Sequence, residues 1–235
     1  MQYTDVVAID PSTACTGICI NGSVSCVVNE DYALTKKGDF TKWFEIASKV
    51  ASIKTYYTPY DKTKNTSFSK SEVQKLKKYD LISDIILDHI KATLPNFTQA
   101  VCLIEGYSYN SQVGNLIDLV TYSTLLRQKL LKNGMTLKIV PPAELKLLAA
   151  KFTYPSIDVG KKKPKLEWRN HDGIAAGKFN KHDMYKAICD NQNLSDNWYK
   201  LLKEHFIEQI SSKSISKPFD DINDSYLLYH SFNSN

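Results

Sequence analysis

Residues 6–9 form an unbroken apolar run, Val6-Val7-Ala8-Ile9, closed by the carboxylate of Asp10. Pro11, Ser12 and Thr13 supply turn chemistry and Gly17 opens a second run, so residues 6–20 predict a β-hairpin with Asp10 at its open end. Residues 23–29, with Val24, Cys26, Val27 and Val28, predict a third strand of the same meander. Residues 41–53 read as a short helix, and 54–70, rich in Lys, Thr and Ser and containing Pro59, read as an inserted loop. Its Tyr56, Tyr57 and Tyr60 suit either base stacking or packing within the loop.

A helix capped by Ser69 or Ser71 follows, because Leu76, Leu81, Ile85, Ile86 and Ile90 recur at helical spacing before Pro95. Residues 99–105 repeat the opening pattern, an apolar run that ends in Glu105 and is followed by Gly106. Residues 115–131 predict a second strong helix, 137–140 a short strand, and Pro142 the first position of a third helix reaching Ala150. Residues 153–173 lack periodicity and predict an exposed loop. Helices are expected over 181–189 and 196–210, and a last one from Pro218 to about Phe232. Strands alternating with helices after an initial meander predict an α/β sheet with helices on its faces.

The chain has 235 residues, 43% of them hydrophobic, which is enough for one domain spanning 1–235 with insertions near 54–70 and 153–173. No apolar run approaches the ~20 residues of a membrane span, and the N-terminus lacks a basic region followed by an apolar core. A cytoplasmic protein without membrane contact is therefore expected. The five cysteines (Cys15, Cys19, Cys26, Cys102, Cys189) show no paired metal-ligand spacing and read as small buried hydrophobes. The net charge of +5 is carried by residues 151–186, and the rest of the chain is neutral overall. Lys161, Lys162 and Lys163 form the centre of that basic stretch. A localised basic segment suits phosphate-backbone binding, and it equally suits a solvated lysine-rich loop.

An ionised carboxylate at the end of a core strand is costly unless it is paired or binds a metal. Asp10 therefore needs a partner, and Glu105 repeats the problem. Asp220 and Asp221 fit the first turn of the last helix, where its dipole favours acids. Asp224 lies a turn further in, beside Tyr226, Leu227 and Leu228, where capping offers it nothing. Asp221 and Asp224 share one helical face, with Cβ atoms ~5–6 Å apart. If the fold gathers Asp10, Glu105, Asp221 and Asp224, they make an oxygen-rich site suited to Mg²⁺ or Mn²⁺. Two such ions about 4 Å apart can activate water for phosphodiester hydrolysis.

Ala8-Ile9-Asp10-Pro11-Ser12-x-x-x-Thr16-Gly17, Leu103-Ile104-Glu105, Gly177-Lys178-Phe179-Asn180-Lys181 and Asp220-Asp221-Ile222-Asn223-Asp224-Ser225 resemble, in the same order, the motifs of RuvC-like Holliday-junction resolvases of the RNase H superfamily. The final motif is especially similar to the viral branch, including poxvirus and phage resolvases. The resemblance implies an RNase H-like mixed five-stranded sheet, an antiparallel meander followed by parallel strands, flanked by helices. It implies that Asp10 bridges two metal ions, that Glu105 and Asp224 each ligate one, and that Asp221 completes the site or orients water. Lys181 matches the family's basic residue near the scissile phosphate, and Lys178 would be a second phosphate contact. Bacterial members often carry an aromatic residue three positions after the glutamate; here that position is Ser108, flanked by Tyr107 and Tyr109, either of which could stack on a junction base.

The resulting expectation is a Mg²⁺- or Mn²⁺-dependent endodeoxyribonuclease, with two ions per site, that acts on branched DNA such as a four-way junction. It would act as a homodimer joined through the helix over 115–131. Two alternatives remain at this stage. The Asp10-Pro11-Ser12-x-x-x-Thr16-Gly17 hairpin also resembles the phosphate-binding hairpin of actin-like and sugar-kinase-like ATPases, which need a second glycine-rich loop not found in this sequence. A catalytically silent DNA-binding module of the same fold is the other, and acids facing phosphate argue against it.

Overall fold

In the computed structural model, which describes residues 5–30, 39–57, 67–107, 113–160 and 163–233, the opening runs form an antiparallel meander. Its strands are β1 (Val6–Asp10), β2 (Cys15–Ile20) and β3 (Ser23–Asn29). Three further strands, β4 (Ser52–Tyr56), β5 (Val101–Glu105) and β6 (Thr136–Val140), complete a six-stranded sheet of order β4-β3-β2-β1-β5-β6. β5 runs parallel to β1, with Ile9 opposite Ile104, and β6 runs parallel to β5. A meander extended beyond β1 by parallel strands, reached through helices, is the RNase H-like α/β arrangement.

Side chains alternate across the strands, and both faces of the sheet are covered. Val7, Ile9, Ile18, Cys102 and Ile104 pack against two helices, α2 (Phe68–Thr93) and α3 (Val113–Lys132). Ala8, Cys15, Cys26 and Leu103 face the opposite core. That core contains α1 (Asp39–Ala47), α4 (Pro142–Thr153), α5 (Lys181–Asp190), α6 (Asn197–Glu204) and α8 (Phe219–Asn233), with α7 (Phe206–Ser211) beside them. Burial on both faces explains why β1 and β5 read as continuous apolar runs up to their closing acids. All five cysteines are buried and free, and no helix among the described residues is long and apolar enough to cross a membrane.

Several expectations change. Among the described residues the sheet has six strands, not five, because part of the presumed loop is the edge strand β4, parallel to β3. Only Tyr56 of that strand is buried, so it lacks the apolar run that marks the others. The helix expected over 41–53 ends at Ala47, where the amides of Val50 and Ala51 turn back onto the Ala47 carbonyl. The Ser67 side chain, not that of Ser69 or Ser71, caps α2. The buried stripe of α2 is Tyr79, Ile82, Ser83, Ile86, Leu87 and Ile90, which leaves Leu76 and Leu81 exposed. His205 separates α6 from α7, where one helix was expected. The segment 153–173 contains a hairpin of β7 (Ser156–Asp158) and β8 (Leu166–Trp168) instead of an irregular loop.

One glycine fixes how the two cores meet the site. A Cβ built on Gly17 would lie 2.0 Å from the Asp221 carbonyl oxygen, so the first turn of α8 rests directly on β2. Gly17 is also the partner of Asp10 in the β1–β2 register. The contact therefore sets the distance between the acids of α8 and the end of β1. Gly17→Ala should cost about 1–3 kcal/mol through overpacking, measured by denaturant unfolding; a variant as stable as the native chain would contradict this contact.

Candidate metal centre

Asp10 and Glu105 end two adjacent parallel strands, so both carboxylates emerge at the same edge of the sheet. The turn after Asp10 is fastened by Thr16, whose Oγ1 donates to the Ser12 carbonyl at 2.9 Å and pairs with the Tyr122 hydroxyl of α3 at 2.7 Å. Arg127 of α3 holds the segment after Glu105. Its guanidinium donates to the Tyr107 hydroxyl at 2.7 Å and lies over the Tyr107 ring at 4.7 Å, with a longer contact to the Glu105 carbonyl. Asp224 reaches the same point from α8. Carboxylate oxygens of Asp10, Glu105 and Asp224 all lie within 4.8 Å of one another.

These three acids line an open cleft of about 420 Å³, together with Lys181, Lys146 and Asn180. Lys181, the first residue of α5, forms ion pairs with Asp224 and with Asp220 Oδ1, the latter at 3.0 Å. Half of its side chain is exposed, whereas that of Asp224 is buried. Asn180 positions this lysine through a capping box. Its Oδ1 accepts from the His182 and Asp183 amides, and Asp183 Oδ2 accepts from the Asn180 amide at 2.9 Å.

The electrostatics follow from this crowding. Burial, then the charges of Glu105 and Asp224, push the Asp10 carboxyl well above the usual carboxylate range. Burial and Asp224 raise Glu105 to about 7, although Lys181 and a hydrogen bond from Asp10 oppose the shift. Burial likewise raises Asp224 against the pull of Lys181. Desolvation works against the Lys181 ammonium, but Asp224, Asp220, Asp10 and Glu105 outweigh it and hold that ammonium protonated. Three clustered carboxylates with one shared ammonium leave negative charge uncompensated. An all-oxygen donor set of this kind fits a hard divalent cation such as Mg²⁺ or Mn²⁺.

The structure does not bring all of the expected residues together. Asp221 stands outside the three-carboxylate group, paired with Lys217 one turn earlier on the other side of the helix entrance. The reason is helical geometry: at ~100° per residue, Asp220 and Asp221 flank Asp224 on opposite sides. The Gly17 contact turns the Asp221 side toward β2, so Asp220 is the acid that meets Lys181. Asp221 is buried, and among the described residues its Oδ2 has no hydrogen-bond partner. Burial raises its carboxyl, against the neighbouring Lys217. Lys178 is exposed in the 3₁₀ turn Ala176–Lys178 that precedes α5, and Lys163 is exposed beside β8. Tyr107 is engaged by Arg127. Tyr109, Lys161, Lys162 and Tyr60 lie outside the described residues.

Lys146, Lys217 and Arg127 were not singled out from sequence. The first is a lysine in an otherwise ordinary helix, and its place in the cleft depends on how α4 crosses the edge of the sheet. Asn180 had a readable signal, since Asn180 and Asp183 have capping-box spacing.

No protein-family model matches the chain, and no curated protein matches it. Among solved structures, Thermus thermophilus RuvC in complex with a Holliday junction substrate matches with a TM-score of 0.41 and 9% identity, covering 97% of this chain and 92% of that one. A structure of Thermus thermophilus RuvC matches with the same TM-score of 0.41 and 9% identity over 98% of this chain and 96% of that one.

Glu105 rises from the ordinary 4.5 to about 7 on folding, so its contribution to metal-free stability is complete below pH 4.5 and is lost as pH rises through about 7. The melting temperature of the metal-free protein should fall across that interval, and Glu105→Gln should flatten the slope. Mn²⁺ should stabilise the native chain more above pH 7 than below pH 5, because the cation competes with the proton. Thermal scans that show no Mn²⁺ stabilisation at the higher pH would contradict the assignment.

Proposed function

We propose that the chain is a divalent-metal-dependent, structure-selective endonuclease that nicks branched DNA, four-way junctions included, by phosphodiester hydrolysis. The observation that carries this reading is the gathering of Asp10, Glu105 and Asp224 within 4.8 Å at a strand-end cleft. The order of the four sequence motifs adds nuclease chemistry to that geometry, and the Asp-Asp-x-x-Asp-Ser form favours the viral branch of junction resolvases.

In this reading, Asp10, Glu105 and Asp224 hold the metal. A pair of Mg²⁺ or Mn²⁺ ions bound there would activate a water molecule and stabilise the leaving oxygen. Lys181 offsets part of the upward shift that burial and mutual repulsion impose on the carboxylates and presents its exposed half to an incoming phosphate, while Asp220 and the Asn180 cap fix its direction. Lys146 offers a second ammonium along the same cleft. Arg127 and Tyr107 hold the backbone behind Glu105, and Thr16 and Tyr122 hold the turn behind Asp10. Both strand-end acids are thus positioned from α3.

Symmetric cleavage of a four-way junction needs two sites related by a two-fold axis, which a homodimer supplies. α3 remains the proposed contact, through its exposed residues and not through its buried leucines. Leu126 and Leu130 are fully buried in the core, whereas Ile117 on the same helix is 57% exposed and Leu116 half-buried.

A synthetic four-way junction should be nicked symmetrically in Mg²⁺, and Asp10→Asn should lower the rate by at least ~10²–10³-fold, the scale of losing a preorganised charge-stabilising group. Unchanged nicking by Asp10→Asn would contradict the assignment. ATP hydrolysis without any nicking would favour the kinase-like alternative instead.

A further inference from the structure

The hairpin of β7 and β8 lies outside the main sheet and meets the core only through its base at Trp168; among the described residues its strands pair with each other and with no strand of the main sheet. An isolated two-stranded hairpin is marginal in water, so its order needs local fastening. At the outer end, Asp158 Oδ1 accepts from the amides of Gly160 and Lys165, each at 2.9 Å. A Cβ on Gly160 would lie 1.9 Å from the Lys163 carbonyl oxygen, so the chain closes on itself there. At the base, Arg169 binds Glu167 through Nε and Nη2 and donates from Nη1 to the Gly173 carbonyl at 3.0 Å. Lys151 of α4 lies 4.7 Å from the Trp168 ring centroid.

The base is also tied to the metal centre. Buried Asn170 accepts from the Ile174 amide and donates from Nδ2 to Asp183 Oδ1 at 3.0 Å. Asp183 is the capping-box acid of α5, two residues after Lys181. One hydrogen-bonded link therefore joins the hairpin to the helix that presents the site's lysine.

What the hairpin offers a partner is selective. Both of its acids are occupied, Asp158 by backbone amides and Glu167 by Arg169. The exposed remainder is cationic and apolar: Lys163 and Lys165, with Ile157 at 42%, Val159 at 38% and Leu166 at 57% exposure. Lysines match phosphates. Aliphatic side chains on a rigid support suit base faces that are already unstacked, as apolar wedges do at kinked steps. A continuous duplex buries its base faces, whereas a branch point exposes them.

We infer that the β7–β8 hairpin is the element that seats on the branch point of the DNA, inserted so that Ile157 and Leu166, which the strand register places on opposite faces, meet unstacked bases on either side together with Val159, and Lys163 and Lys165 lie on the flanking phosphates. The inference rests on the endonuclease reading above and adds a specificity-determining surface to it. Substrate choice is then made at the hairpin and transmitted through Asn170 and Asp183 to the position of Lys181.

The test uses the full chain in two forms, Ile157→Ser/Val159→Ser/Leu166→Ser and Lys163→Glu/Lys165→Glu. Each is titrated without divalent cation against a labelled four-way junction and a linear duplex of the same composition. The serine form should lose about tenfold or more in junction affinity with little change on duplex, each lost apolar contact being worth a fraction of the usual base-step energy. The glutamate form should weaken binding to both DNAs and lower the salt slope by about two. Circular dichroism and Mn²⁺ binding like the native chain's show that fold and metal centre are intact. Junction affinity unchanged in both forms, while the native chain still nicks the junction in Mg²⁺, overturns the hairpin assignment alone. A serine form that changes oligomeric mass but not junction affinity overturns it in favour of contact with a second copy. A native chain with neither junction preference nor nicking overturns both readings.

Discussion

The first turn of α8 lies on β2 with no space for a methyl group at Gly17, and the candidate site depends on that contact. It brings a helix bearing Asp220, Asp221 and Asp224 against the strand pair that ends in Asp10. A larger residue at 17 would lift the helix and separate Asp224 from the two strand-end carboxylates. The same contact divides the helix's acids. Asp221 is turned toward the sheet and Lys217, and Asp224 is left facing Asp10 and Glu105.

Placing three carboxylates together works against stability in the absence of counter-charge, and their raised proton affinities express that tension. The fold holds the acids in place through paired supporting groups. Thr16 and Tyr122 brace one strand end, Arg127 and Tyr107 the other, and the Asn180–Asp183 box fixes Lys181. Lys181 compensates part of the charge. The remainder gives the cleft an all-oxygen donor set that fits a hard divalent cation, which is the basis of the proposed function.

Much of this was legible in the sequence, for a physical reason. Strands β1, β2, β3 and β5 are buried on both faces, so they are dominated by apolar residues, and in β1 and β5 the run is unbroken until the charges of Asp10 and Glu105 stand out at its end. β4 escaped because it is an edge strand that exposes Ser52, Lys54 and Thr55. The β7–β8 hairpin escaped because its order comes from the Asp158 side chain and the Arg169–Glu167 pair instead of an alternating pattern. Spacing alone placed Asp221 with Asp224, since residues three apart share a helical face. Which neighbour of Asp224 turns toward the cleft is decided by the Gly17 contact, a tertiary fact with no local signature.

The most direct test of the metal centre is anomalous scattering from crystals grown with Mn²⁺. The account predicts a peak in coordination range of Asp10, Glu105 and Asp224 and its loss in Asp10→Asn. A fully occupied Mn²⁺ elsewhere on the protein, with no density between those three carboxylates, would contradict it.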